Sequence, residues 1–252
     1  MARSRSGRRR SHPANRLATA ALVLAIAAGV FLASAGLGYR FGWWGLGPAF
    51  TILAVSVYVA AAILVVALIG GAWALTAKSW TGFAAALLAL LIAAGTAAIP
   101  LDMRRAGASV PRIHDITTDT EHPPEFVALR PERERSPNGA AYGGPEVAAQ
   151  QRAGYPDIAP VLLPVPPARA FAQAEAAARA LGWTIVAASP AEGRLEATDT
   201  TRWFGFKDDI VVRVAPALDG SRIDVRSVSR VGRSDLGVNA RRVRAFIAAL
   251  RR

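Results

Sequence analysis

Residues 80–105 read WTGFAAALLALLIAAGTAAIPLDMRR, and the change of character near position 100 decides the fold. The stretch opens with 22 uncharged residues, twenty of them (80–99) ahead of Pro100, then reaches Asp102, the first carboxylate of the chain, and the pair Arg104 and Arg105. Twenty apolar residues at 1.5 Å rise make a helix of about 30 Å, the thickness of a bilayer's hydrocarbon core. Two similar runs precede it, Leu17 to Leu37 and Ala49 to Ile69. A chain of 252 residues has too little remaining mass to bury three such runs in a globular core. The sequence therefore predicts a three-helix transmembrane anchor over 17–100, partnered by the lipid bilayer.

The charges divide at the same place. All 18 acidic residues lie at or beyond Asp102, whereas the first 100 residues carry eight cations, which supply +8 of the net +12. Tyr39, Trp43 and Trp44 lie between the first two runs, and Trp73 and Trp80 between the second and third, as interfacial aromatics do. Six arginines in the basic tail 1–16, with Lys78, face Arg40, Arg104, Arg105 and Arg112 across the spans. Cation counting then predicts a bacterial inner-membrane protein with a cytoplasmic N-terminus and a periplasmic C-terminal domain. A second reading makes the first run a signal peptide cleaved after Ala33-Ser34-Ala35, which leaves the C-terminal domain on the same side. Ala25, Gly29 and Ala33, four residues apart, suit close packing among the spans or a homo-oligomer through them. No span contains Asp, Glu, Lys, Arg or His, which argues against a transporter or channel.

Beyond the anchor, residues 101–166 are proline-rich and show no hydrophobic period, so an extended segment is expected there. His114, Asp115, Asp119, Glu121 and His122 have metal-ligand chemistry but none of the standard spacings, and no metal or cofactor is expected. Scattered charges in the C-terminal part argue against a nucleic-acid partner. The chain has no cysteine, which removes disulfides and thiolate chemistry.

Residues 167–252 read as an α+β domain. A helix with Phe171, Ala174, Ala178 and Leu181 on one face is followed by strands at 183–188, 194–200, 210–214 and 222–228, and by a helix at about 235–250. The expected architecture is a four-stranded, mainly antiparallel sheet with one face on two helices. The last helix should bury Val238, Val243, Phe246, Ile247 and Leu250 and show Arg241, Arg242 and Arg244 to water.

Candidate site residues gather in two places. The passage RSVSRVGRSDLGVNARR at 226–242 runs from a strand through a serine- and glycine-containing turn into a helix, a geometry that presents free amides to an anion. Arg226, Ser229, Arg230, Ser234, Asp235 and Asn239 are the candidates there. The alternative makes Ser234 or Asp235 the helix cap and pairs the arginines with Asp224, Asp208 and Asp209. The second place is 201–209, where Trp203, Phe204 and Phe206 surround Gly205, as core anchors or as a stacking surface. Asp208 and Asp209 close it, pointing to opposite faces of a strand.

The runs Tyr155-Pro156-Asp157-Ile158, Gly182-Trp183, 204–209 and 226–239 together resemble the DUF1499 family of uncharacterised bacterial and plastid proteins, over roughly 110–251. The resemblance implies no activity. Two functions fit the residues. One is an envelope binding module recognising an anionic lipid, a glycan or a partner protein. The other is an envelope hydrolase or transferase using Ser229 or Ser234 with Asp235 and the arginines, against which no histidine lies near the turn in sequence.

Overall fold

The computed structural model describes residues 12–251; Arg3, Arg5, Arg8, Arg9 and Arg10 of the basic tail lie outside them. The chain forms two compact units that meet at Arg104 and Arg105. The first consists of α1 (Pro13–Arg40), α2 (Leu46–Thr76) and most of α3 (Trp80–Ala108).

These helices pack with small residues inside and large ones outside. Ala21, Ala25 and Ala28 meet Ala60, Ile63 and Ala67 of α2 and Ala89 and Ala93 of α3, while Val30, Leu68 and Leu91 lie on the outer surface. Water would favour the reverse arrangement. In lipid, helices gain by close backbone approach, and small residues allow it. All three helices are long and apolar enough to cross a membrane. Gly29 faces Ile92 and Thr96 of α3, so this part of the small-residue stripe packs within the chain.

The second unit is built on a single antiparallel sheet. Its strands are β1 (Asp115–Thr117), β2 (Val161–Leu163), β3 (Thr184–Ser189), β4 (Arg194–Thr200), β5 (Lys207–Ala217) and β6 (Gly220–Ser229), with helices α4 (Arg130–Glu134), α5 (Gly144–Gly154), α6 (Pro167–Ala180) and α7 (Val238–Leu250). The order is β1-β6-β5-β4-β3, and β2 also pairs with β6 beside β1. The sheet thus has six strands where the sequence pattern gave four, and the unit four helices rather than two. Both extra strands come from the proline-rich segment and are three residues long, too short for an alternation to register.

One face of the sheet carries Leu195, Ala197, Ile210, Val212, Ile223 and Val225 against α6 and α7. Trp183 stacks on Phe246 within this core. The other face, expected to meet water, is also covered. A strap formed by residues 118–143 crosses it, and Phe126 and Leu129 pack on Val211 and Val228. The strap explains why polar residues on that face, among them Glu196, Asp209, Asp224 and Arg226, are buried.

Candidate functional site

The period-two alternation of β5 sends Asp208 and Asp209 to opposite faces, and each carboxylate anchors a separate polar cluster. On the helix face Asp208 accepts a 2.7 Å hydrogen bond from Arg242 Nη2, and Asp199 accepts two more from the same guanidinium. Arg242, expected in water with Arg241 and Arg244, is buried instead, because the two carboxylates reach it beneath α7. The Ser227 hydroxyl donates to Asn239 Oδ1 at 2.7 Å, and Asn239 Nδ2 donates to Ser229 Oγ at 2.9 Å.

On the strap face Asp209 is wholly buried and accepts from Arg230 Nε at 2.8 Å, Arg230 Nη2 at 2.9 Å, Arg133 Nη1 at 3.2 Å and Thr198 Oγ1 at 2.8 Å. Arg133 is buried too, and its burial pulls the guanidinium down from its usual range against the pull of Asp209. Arg226 makes a paired contact with Asp115 at 3.0 and 2.7 Å, donates to the carbonyls of Pro124 and Ala140, and lies between the rings of Phe126 and Tyr142. Burial and the neighbouring Asp115 push the Tyr142 hydroxyl up to about 12, with Arg226 opposing. Glu196, also buried, accepts from three successive strap amides, Val127, Ala128 and Leu129, at 2.8–3.0 Å. Three convergent amides form a seat for an anion, and here the seat is taken by the chain's own carboxylate.

The helix-opening turn is likewise internally filled. Asp235 accepts from the amides of Gly237 at 2.8 Å and Asn239 at 2.7 Å, at the start of α7. Burial raises its carboxyl above the usual range, opposed by those two amides and reinforced by Asp208. The Ser234 hydroxyl accepts from Leu236 N. Trp203 meets Phe204 edge-on, and Phe204 stacks on Phe206, all with centroids 4.9 Å apart; Phe204 is buried. The structure thus brings Ser229 and Asn239 together, and Asp209 with Arg230, but pairs Arg226 with Asp115 rather than with Asp224, Asp208 or Asp209.

A different part of the strap face is open. A cleft of about 550 Å³ lies between strap residues 121–127, the β3–β4 turn at Glu192, and β4 and β5 at Arg194, Val211 and Arg213. Its wall is rigid. Asp119 accepts from the amides of Glu121 and His122 and from Arg213 and Arg222, and Arg213 also donates to the His122 carbonyl. Burial alone would raise the Asp119 carboxyl, but those amides and guanidiniums together hold it below the usual carboxylate range. None of the ligand-binding candidates at 203–209 and 226–239 lines this cleft, whereas Glu121 and His122 of the run with metal-ligand chemistry do. The signal available there was the acidic and histidine-bearing run at 114–122, whose side-chain partners on β5 and β6 lie 91 to 111 residues away. Among the described residues no group of three His, Cys, Asp or Glu side chains could hold a metal ion.

No curated protein and no solved structure matches the chain. One family model does, over residues 115–250, from the start of β1 to the end of α7 and so across the sheet, the strap and both polar clusters. On that match, which covers more than half of its length, the chain belongs to DUF1499, a family described as protein of unknown function.

Proposed function

We propose that this protein is a membrane-anchored binding module of the cell envelope, held by three spans with its C-terminal unit on the periplasmic side of a bacterial inner membrane, and that it recognises a partner protein. The observation that carries this reading is the saturation of the 226–239 turn. Arg226 and Arg230 are spent on Asp115 and Asp209, Asp235 on the amides of α7, and Ser229 on Asn239. An anion-binding turn would leave cations and amides for the ligand, and a nucleophilic serine would need a base. The residues that looked chemically active serve to lock the strap and α7 onto the sheet, which favours a rigid scaffold over an enzyme and directs recognition to the open strap face.

The test is crosslinking of the full-length protein in its native membrane, followed by detergent extraction and mass spectrometry of what is captured. A chain ending at Arg104 serves as the comparison. Proteins captured only by the full chain support the reading. Identical profiles from the two chains refute it.

A further inference from the structure

We propose that the cleft on the strap face is a peptide-binding site that takes an extended segment of a partner protein carrying an arginine or lysine between apolar residues. The proposal rests on the binding-module reading above and names the chemistry of its ligand. Two features of the cleft lead to it.

The first is charge. Around and beneath the cleft stand the carboxylates of Asp119, Glu121, Glu125, Glu192, Glu196 and Asp224, against the guanidiniums of Arg130, Arg194, Arg213 and Arg222. The excess is two negative charges, on a chain that is otherwise strongly basic. Arg213 and Arg194 are committed to acids beneath or beside them, whereas Glu121 is exposed on the rim and Glu125 meets only the exposed Arg130, at 3.4 Å. The rim is therefore shaped for a cation. A carboxylate can hold a guanidinium through two N–H donors at once, which sets Arg above Lys.

The second feature is an apolar lining between the charges. Pro123 and Val127 on the strap line the cleft above the buried Val211 of β5, and Val127 is half exposed. Apolar surface left open beside a charged rim suits the side chains that flank a basic residue in an extended peptide, whose alternate side chains point to opposite sides. The volume lies within the range of sites that enclose a small ligand or a few residues of a chain.

The experiment uses detergent-solubilised full-length protein and fluorescein-labelled pentapeptides with blocked ends, their central residue Arg, Lys, Gln or Glu and their flanks drawn from Ala, Val, Leu and Pro. Fluorescence polarisation should rank the centres Arg, Lys, Gln, Glu in falling affinity, with binding weakened by salt. Glu121→Gln combined with Glu125→Gln alters only exposed side chains and should weaken the Arg series about two- to thirtyfold, the range for losing two exposed ion pairs. Glu175→Gln, on the exposed side of α6, should leave it unchanged. A preference for the Glu series, or equal affinity of the double variant and the parent for the Arg series, overturns the proposal. If no pentapeptide binds while crosslinking still captures proteins specific to the full chain, the cleft assignment falls and the binding-module reading stands.

Discussion

Asp209→Asn is the substitution that probes most directly what holds the strap to the sheet. The change keeps the size of the side chain but removes the charge facing two guanidiniums. Arg133 has no access to water, so its charge would remain buried with only the carbonyls of Gly139, Val228 and Ser229 to solvate it. Breaking a buried ion pair by removing one partner costs about 3–5 kcal/mol. The three carbonyls, and the partial exposure that lets Arg230 turn outward, place the expected loss near the lower end, at about 3 kcal/mol. For a unit of this size that corresponds to a fall in midpoint of roughly 6–12 °C. Pulse proteolysis in urea would report on this unit, since membrane helices in detergent resist both protease and urea. The cycle closes with Arg133→Met, which should cost clearly less in the Asp209→Asn background than in the parent, because the charge it removes is no longer paired. A loss below about 1 kcal/mol, or an equal cost of Arg133→Met in the two backgrounds, would refute the clamp.

Four further outcomes are expected. Asp119 is held below its ordinary value of 3.8, so its contribution is complete above that pH and is lost as the pH falls below it. Hydrogen exchange at the amides of Glu121 and His122 should accelerate in that acid window and lose this pH dependence in Asp119→Asn. Asp235 is raised above 3.8, so its contribution is fullest below 3.8 and declines as the pH rises through the folded value. Asp235→Asn should therefore flatten the pH profile of stability, while Asp235→Ala should lose about 1 kcal/mol through the uncapped amides of α7. Gly193 has φ +61°, and a Cβ there would lie 2.1 Å from the Val214 carbonyl oxygen; Gly193→Ala should cost at least about 1–2 kcal/mol in a denaturation series. Finally, the parent chain is free of cysteine. A Leu218→Cys variant, at the fully exposed β5–β6 turn, should react with a membrane-impermeant maleimide in intact cells, and Lys78→Cys only after permeabilisation. The reverse pattern would invert the topology.

The anchor was legible because lipid imposes a long, uniform pattern on the sequence, and Leu17–Leu37 and its two counterparts satisfy it residue by residue. The strands β3 to β6 were legible for a similar reason, since Ile210, Val212 and Val214 keep their alternation for as long as the core requires it. β1 and β2 were not, because a three-residue strand beside proline carries no period, and both exist only through pairing with β6. Arg242 misled for a related reason. Its helical position has nothing apolar about it, and only Asp199 and Asp208, brought beneath α7 by the sheet, turn it inward. The candidate site residues were recognisable as special, but their partners were not. Asp115 stands 111 positions from Arg226, and Arg133 stands 76 from Asp209. The open cleft was invisible for the same reason, as its two walls come from 121–127 and from 192–213, far apart in sequence.

The pairing of β1 with β6 also bears on biosynthesis. Asp115 is synthesised soon after the third apolar helix, but its strand partner Val228 and its ion-pair partner Arg226 follow more than a hundred residues later. Until then the strap has no complete surface to lie on, and its buried arginine and carboxylates remain solvated on an unfolded chain. The C-terminal unit therefore cannot be completed in stages during synthesis. It closes in one late step, with the anchor already inserted, and any chaperone that attends this protein must hold an extended, tethered chain until its last strand arrives.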